Sequence, residues 1–129
     1  MEKQRILIVD DEPDLNHMVK HVLEATGEFD VAEETDGRRA LDLARQYKPD
    51  LVLLDIMMPN LDGGDVALCM SADPELRSTP VIFLTAMVMK EEVAAQGGVI
   101  GGQRYLAKPV DIDDLVNCVR KTLAAASLQ

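Results

Sequence analysis

The chain has 129 residues, of which 47% are hydrophobic and 28% are charged, and its formal net charge is −10. This length allows one domain that buries roughly two-thirds of the surface its unfolded chain exposes. The composition excludes a disordered chain. No apolar run approaches the roughly 20 residues that cross a bilayer. The excess of acidic residues disfavours direct binding of nucleic acid, because its phosphates need a basic surface.

The start of the chain and its cysteines indicate a reducing compartment. Only four apolar residues separate the charged start MEKQR from the acids that follow, too few for a signal peptide. We therefore expect a cytoplasmic protein. Cys69 and Cys118 fall in helical apolar patterns, and without a secretory signal they are predicted to be small buried hydrophobic residues and not a disulfide.

The first half of the chain alternates short apolar runs with helical patterns. Residues 6–9 form a continuous apolar run, which is typical of a strand covered on both faces in a parallel sheet. Apolar residues at three- and four-residue spacing predict a helix between Pro13 and Gly27. The more polar run 29–34 suits an edge strand, and Asp36 is a candidate cap for a second helix that ends before Pro49.

The second half continues the same alternation. In chain order it predicts a strand at 51–54, a helix at 65–71, a strand at 81–84, a helix at 90–96, a strand at 105–107 and a last helix from Asp111. Strict alternation gives a parallel sheet, because right-handed crossovers place helices on both of its faces. We predict a flavodoxin-like three-layer α/β sandwich with five parallel strands in the order 2-1-3-4-5 and five helices.

Polar residues stand at the carboxyl ends of four of these strands. Asp10 and Asp11 follow the first strand, Asp55 the third, Thr85 the fourth and Lys108 the fifth. Ligands of open α/β sheets bind beyond the carboxyl ends of the strands, where the strand order reverses. In the predicted order that point lies between the first and third strands, so these side chains are expected to form one site.

The chemistry of this site follows from its residue types. Neighbouring carboxylates repel one another unless they share a cation, and a set of oxygen ligands suits Mg²⁺ or Mn²⁺ better than zinc or copper. A hydroxyl and a lysine opposite the metal can hold anionic oxygens. The set therefore suits phosphoryl transfer to a carboxylate nucleophile. Taken singly, each residue also has a purely structural reading, as a helix cap, a strand end or a surface lysine.

The motifs around these residues resemble those of the receiver domains of two-component response regulators. The matching segments are ILIVDDEPD at 6–14, LVLLDIMMPNLDG at 51–63, VIFLTA at 81–86 and YLAKP at 105–109. Each segment is weak evidence alone. Their order and spacing over nearly the whole chain make the resemblance specific.

The resemblance implies a phosphoacceptor and a metal site. Asp55 would take a phosphoryl group from a phosphohistidine of a sensor histidine kinase or histidine phosphotransfer protein. Asp11, Asp55 and the backbone carbonyl of Met57 would bind Mg²⁺ directly, and Asp10 would act largely through water. Such a domain promotes its own phosphorylation and dephosphorylation but turns over no separate substrate, so it is not expected to be an enzyme.

The resemblance also implies a switch that is read by a partner. Lys108 would pair with the phosphoryl oxygens, and Thr85 would swing in to hydrogen-bond one of them. Tyr105 would follow Thr85 from an outward to an inward rotamer and so repack a partner-binding face. The signal would pass by contact to a downstream protein or output domain, without direct binding of this chain to nucleic acid or membrane.

The sequence departs from the family pattern near the phosphoacceptor and before the tyrosine. Where many members carry polar residues, this chain has Met57 and Met87. We expect both side chains to flank the path of an attacking water and to slow the loss of the phosphoryl group; the alternative is that they only fill irregular surface. The glycines between 97 and 102, with Gln103 and Arg104, also change the face on which a partner would bind.

Three other functions share parts of the pattern. A haloacid-dehalogenase-type phosphatase also uses an aspartyl phosphate, but it needs a second acid where this chain has Met57. A flavodoxin-like flavin binder needs a hydroxyl- and glycine-rich loop after the first strand, and the VDDEPD segment would repel its phosphate. A receiver domain that is kept only as a constitutive scaffold has the same sequence pattern and stays open.

Two smaller features complete the chain. His17 and His21 lie one helical turn apart and have the spacing of a metal pair, but no third ligand accompanies them, so a solvated helix face is preferred. We expect the receiver domain to occupy residues 1–125 and residues 126–129 to be a tail or the start of a linker.

Overall fold

The computed structural model describes residues 3–58, 61–86, 99–100 and 103–126. The strands within them are β1 (Gln4–Val9), β2 (Phe29–Glu34), β3 (Leu51–Asp55), β4 (Met57–Met58), β5 (Leu61–Asp62), β6 (Val81–Thr85), β7 (Val99–Ile100) and β8 (Gln103–Ala107). The helices within them are α1 (Pro13–Ala25), α2 (Ala40–Tyr47), α3 (Gly63–Ala72) and α4 (Ile112–Ala126), with a 3₁₀ turn at Gly37–Arg39. The predicted helix at 90–96 and residues 127–129 of the predicted tail lie outside the described residues.

The main sheet has the strand order β2-β1-β3-β6-β8-β7. The first five of these strands pair in parallel, which confirms the predicted order 2-1-3-4-5 with β2 at the edge. The prediction omitted β7, which adds an antiparallel strand at the other edge, and the small hairpin of β4 and β5. Each of these three strands has two residues, too few to leave a periodic pattern in the sequence.

Two apolar cores lie on opposite faces of the sheet, as a three-layer sandwich requires. Alternate residues of a strand point to opposite faces. Accordingly, Ile6 and Ile8 of β1 pack in the core that includes α1 and α4, whereas Leu7 and Val9 pack in the core that includes α2 and α3. All four side chains are fully buried, and burial of each contributes roughly 1.5–3 kcal/mol. The continuous apolar run is therefore explained by helices on both faces.

Several described helices begin or end at residues that the sequence indicated, although α3 begins at Gly63, two residues before its predicted start. Pro13 is the first residue of α1, and Gly27, with φ +78°, follows its end. Asp36 does cap a helix, but a 3₁₀ turn precedes α2: the Asp36 side chain accepts a hydrogen bond from the Arg38 backbone N–H at 2.9 Å. The longest described helix, α4, has 15 residues, and no described helix is long and apolar enough to cross a bilayer.

Side chains of α1 cover the free edge of β2. The Lys20 Nζ donates a hydrogen bond to the Val31 carbonyl oxygen at 2.8 Å, and the Glu24 carboxylate accepts one from the Val31 N–H at 3.1 Å. One helical turn earlier, the His17 ring contacts the Glu33 carboxylate at 3.0 Å. Because an open edge invites pairing with another strand, these contacts protect it. Among the described residues, His17 belongs to no group of three possible metal ligands.

The prediction that both cysteines are buried is wrong for Cys69. Cys69 is exposed on α3 next to the exposed Leu68, whereas Cys118 of α4 is half-buried and packs against the core of α1 and α4. Both are free thiols, as predicted. The error arose because apolar residues occur on all sides of α3, so the sequence pattern did not separate its inner face from its outer one.

We expect a thiol reagent to modify Cys69 before Cys118. Burial raises the pKa of the Cys118 thiol, which lowers the fraction of reactive thiolate and adds to its poorer access. Peptide mass spectrometry after timed exposure to iodoacetamide should show Cys69 reacting about tenfold faster or more. A Cys69→Ser variant isolates the slow thiol, and equal rates at the two sites would contradict the described burial.

Candidate functional site

Three carboxylates converge beyond the carboxyl ends of β1 and β3. Asp10 and Asp11 follow β1, and Asp55 is the last residue of β3. One carboxylate oxygen from each of the three lies within 4.8 Å of the other two. The strands run side by side in parallel, with Val9 opposite Leu54, so their ends meet at one edge of the sheet. The structure thus brings together the three acids that the sequence placed at strand ends.

Burial makes this carboxylate cluster costly unless a cation is near. Asp10 is fully buried, Asp55 is 4% exposed and Asp11 is half-buried. Taking carboxylates out of water without compensating charge is unfavourable. A compact set of carboxylate oxygens is a donor set that suits a hard divalent cation such as Mg²⁺. These residues therefore fit a metal site.

Lys108 provides a positive charge from the segment after β8. Its Nζ lies 2.8 Å from Asp10 Oδ2, 3.5 Å from Asp55 Oδ2 and 3.9 Å from a Glu12 carboxylate oxygen. Its backbone N–H donates to the Thr85 carbonyl oxygen at 2.9 Å, which holds this segment beside β6. Partial burial lowers the pKa of Lys108, but the hydrogen bond and charge of Asp10, with the charges of Asp55 and Glu12, outweigh burial and raise it. The lysine is thus cationic at neutral pH.

Backbone contacts fix the orientation of Asp10. Its Oδ1 accepts a hydrogen bond from the Glu12 N–H at 2.9 Å. Its own N–H donates to the Glu34 carbonyl oxygen at 3.1 Å and so extends the pairing of β1 with β2. Lys108 is closer to Asp10 than to Asp55. Within the described residues, its ammonium group therefore pairs mainly with Asp10, the residue after β1.

Thr85 and Tyr105 lie on the neighbouring strands β6 and β8. Thr85 is 1% exposed at the end of β6, opposite Ala107. Tyr105 is half-buried, and its ring packs against Phe83 with centroids 5.4 Å apart and planes at 30°. Both rings line a groove of about 480 Å³ beside α3. The structure places the two expected switch residues on adjacent strands, and the change of Tyr105 rotamer stays a prediction.

The two methionines of the predicted site are only partly within the described residues. The backbone of Met57 begins β4, two residues after Asp55, and pairs with Asp62 of β5. The Met57 side chain and all of Met87 lie outside the description. Their expected effects, a carbonyl ligand from Met57 and restricted access of water at both positions, stay predictions.

Sequence analysis missed two residues of this site, Asn16 and Glu12. Asn16 of α1 is fully buried, and its Nδ2 donates a hydrogen bond to the Asp10 carbonyl oxygen at 2.9 Å. It shares the buried stripe of α1 with Val19 and Leu23. An asparagine three and seven residues before apolar core positions was the signal that could have revealed it. Glu12, which is exposed, carried no such signal.

Known proteins that resemble this chain share one domain type. Residues 6–120 match the family described as response regulator receiver domain. The polar-differentiation response regulator DivK of Brucella anthropi is 34% identical over 128 residues, which are 98% of this chain and 100% of DivK. The DNA-binding dual master transcriptional regulator RpaA of Synechocystis sp. is 38% identical over 119 residues, 92% of this chain and 48% of RpaA. The chain thus spans the whole of DivK but about half of RpaA.

Solved structures show the same architecture. The chemotaxis protein CheY4 of Vibrio cholerae superposes with a TM-score of 0.79 at 26% identity, covering 94% of this chain and 99% of CheY4. The Francisella response regulator 1452 receiver domain superposes with a TM-score of 0.78 at 29% identity, covering 95% of this chain and 98% of that domain. Agreement over nearly the full length of each chain confirms the flavodoxin-like fold.

Proposed function

The chain belongs to the response regulator receiver domains of two-component systems, and from this premise we propose that Asp55 is its phosphoacceptor. The observation that carries the proposal is the surroundings of Asp55. It ends β3 with the carboxylates of Asp10 and Asp11 within 4.8 Å and the Lys108 Nζ at 3.5 Å. A carboxylate nucleophile needs positive charge on the oxygens of the incoming phosphoryl group, and this cluster can supply it from Lys108 and from a metal.

In the proposed reaction this chain accepts the phosphoryl group and its own residues promote the transfer. An Asp55 oxygen attacks the phosphorus of a phosphohistidine on a sensor histidine kinase or histidine phosphotransfer protein. The P–N bond breaks, the imidazole nitrogen keeps the electron pair and takes up a proton, and Asp55 becomes an acyl phosphate. Lys108 holds phosphoryl oxygens by charge, and the Thr85 hydroxyl donates a hydrogen bond to one of them. Attack of water on the phosphorus later breaks the P–O bond to Asp55, releases inorganic phosphate and restores the carboxylate, so no separate substrate is turned over.

We propose Mg²⁺ as the cofactor, with Mn²⁺ as a substitute. Asp11, Asp55 and the Met57 backbone carbonyl would hold it directly, and Asp10 would hold it largely through water. When bound, the metal supplies positive charge that offsets the carboxylates and the phosphoryl oxygens. The support for this assignment is the oxygen-only donor set, within 4.8 Å and with two members buried.

The test is the intact mass of the purified chain after incubation with Mg²⁺ and acetyl phosphate. We expect one added phosphoryl group with Mg²⁺ and none in a sample treated with EDTA. An adduct of equal yield in EDTA would overturn the metal assignment. If the chain binds Mg²⁺ but takes up no phosphoryl group, the phosphoacceptor proposal fails, and the constitutive scaffold becomes the better account.

The acyl phosphate is expected to be long-lived, because this chain has Met57 and Met87 at sequence positions where many members of the family carry polar residues. Replacement of both by glutamine should shorten its half-life about tenfold or more, since positioned proton acceptors accelerate attack by water. The decay of the phosphorylated mass after removal of acetyl phosphate measures this. An unchanged half-life would favour the alternative that the methionines only fill surface.

We further propose that phosphorylation changes the face around Tyr105 and that a cytoplasmic downstream protein or output domain reads it. The half-buried ring of Tyr105 packs on Phe83 and lines a groove, which supports the proposal that the ring takes part in this change. The net charge of −10 supports a protein partner, and not nucleic acid, for this chain itself. The receiver unit is proposed to end near residue 125.

A further inference from the structure

Asn16 ties together three segments that meet at the carboxylate cluster. Its Nδ2 donates to the Asp10 carbonyl oxygen at 2.9 Å and to the Glu34 carbonyl oxygen at 3.4 Å. Its backbone N–H donates to the Glu12 carbonyl oxygen at 3.2 Å, in the first turn of α1. One side chain therefore links the end of β1, the end of β2 and the start of α1.

The bond to the Asp10 carbonyl bears on two of the three acids at once. That carbonyl belongs to the peptide group between Asp10 and Asp11, so its direction sets how both side chains leave the backbone. The Glu34 carbonyl oxygen, which accepts from Asn16, also accepts a hydrogen bond from the Asp10 N–H, at 3.1 Å. Rotation of this peptide group would break the Asn16 bond and would change the positions of both carboxylates relative to Asp55.

In its contacts with the described residues, the Asn16 amide uses its donor group but not its acceptor. Asn16 is fully buried, and within the described residues its Oδ1 has no hydrogen-bond partner. A buried acceptor without a donor is unfavourable, and an aliphatic side chain of similar size would avoid it. The reverse amide orientation would point Oδ1 at two carbonyl oxygens, so the donor group belongs where it is. What the amide provides is the donor to the Asp10 peptide.

We propose that Asn16 is a positioning residue that holds Asp10 and Asp11 in the geometry required for a divalent cation. This inference rests on the proposed function, in which the acids bind Mg²⁺. In this proposal Asn16 would not itself be a ligand of the metal or of the phosphoryl group; it would act through its hydrogen bond to the Asp10 carbonyl oxygen. Residues that orient metal ligands from outside the ligand set typically change metal affinity 10- to 100-fold when they are removed.

The experiment measures the Mg²⁺ dissociation constant by calorimetry for the unchanged chain, Asn16→Leu and Asn16→Ala. Asn16→Leu keeps the number and branching of the side-chain heavy atoms, and Asn16→Ala avoids overpacking and favours the helix, so the two variants remove the donor in complementary ways. Thr122→Val is the matched control, because Thr122 is a buried polar residue on α4, outside the carboxylate cluster, and the substitution likewise removes a buried polar group. Circular dichroism establishes that each variant is folded at the temperature of the titration.

We expect the Asn16 variants to bind Mg²⁺ about tenfold more weakly or worse, and Thr122→Val to bind it like the unchanged chain. At saturating Mg²⁺ the phosphoryl uptake of the folded Asn16 variants should recover, which a general loss of structure would not allow. Equal affinity in the unchanged chain and a folded Asn16 variant would overturn this inference alone. If the unchanged chain itself fails to bind Mg²⁺, the metal assignment fails and the inference falls with it.

Discussion

Replacement of Asp55 by asparagine is expected to reduce phosphoryl uptake from acetyl phosphate below detection. An amide nitrogen or oxygen is a poor nucleophile towards phosphorus, so the variant keeps the shape of the site and loses the reacting group. The intact mass of Asp55→Asn after incubation with Mg²⁺ should equal that of the untreated variant. Asp42→Asn is the matched control, because Asp42 is an exposed acid on α2 whose side chain is 77% accessible, and it should be phosphorylated normally.

The same substitution has a second expected effect, on stability. Without metal, Asp55 adds a third negative charge to a largely buried carboxylate cluster. Removal of that charge should raise the free energy of unfolding in metal-free buffer by roughly 1 kcal/mol, since like charges that share a site repel. Urea unfolding of both forms measures the difference. Phosphoryl uptake by Asp55→Asn at the level of the unchanged chain would show that another residue is the acceptor.

Replacement of Lys108 by methionine is expected to destabilise the metal-free protein by about 2–3 kcal/mol. Asp10 is fully buried and loses the cation that lies 2.8 Å from it. Removing one partner of a buried pair costs about 3–5 kcal/mol, and we place the effect lower because the Lys108 side chain is 16% exposed. Since the folded-state pKa of Lys108 is raised, its contribution is complete at neutral pH and is lost only as pH rises beyond the ordinary value of 10.5.

The control for Lys108 is Arg120→Met, which removes the exposed ion pair with Glu28 and should leave the free energy of unfolding close to that of the unchanged chain. Mg²⁺ should stabilise Lys108→Met more than it stabilises the unchanged chain, because Asp10 has then lost its ion pair with Lys108 and the metal supplies positive charge in its place. Phosphoryl uptake should slow about 100-fold or more, as for the loss of a group that stabilises developing charge. Normal stability together with normal uptake would show that Lys108 serves neither role.

Four of the five parallel strands were predictable because each is a short apolar run between polar segments, and the more polar run at 29–34 was recognised as an edge strand. A strand with helices on both faces must be apolar at every position, and residues 6–9 and 51–54 show this directly. Once the strand order was predicted, the convergence of Asp10, Asp11 and Asp55 followed from the parallel direction of β1 and β3. The position of the site could thus be predicted from the pattern of apolar runs.

The features that sequence analysis missed depend on tertiary contacts. The strands β4, β5 and β7 are held by pairing with one neighbouring strand and have two residues each. Cys69 lies on the outer side of a helix whose apolar residues do not mark one face. Asn16 acquires its importance only from the carbonyl groups that it meets in the folded chain. Local sequence patterns therefore predict which residues are buried more reliably than they predict the contacts of those residues.

The most direct test of the central claim is to locate the phosphoryl group on the chain. Borohydride reduces an acyl phosphate of aspartate to homoserine, which marks the modified residue permanently. Peptide mass spectrometry of the chain treated with Mg²⁺, acetyl phosphate and borohydride should find homoserine at position 55 and at no other aspartate. Conversion at another position, or at none in a sample that had gained a phosphoryl group, would contradict Asp55 as the phosphoacceptor.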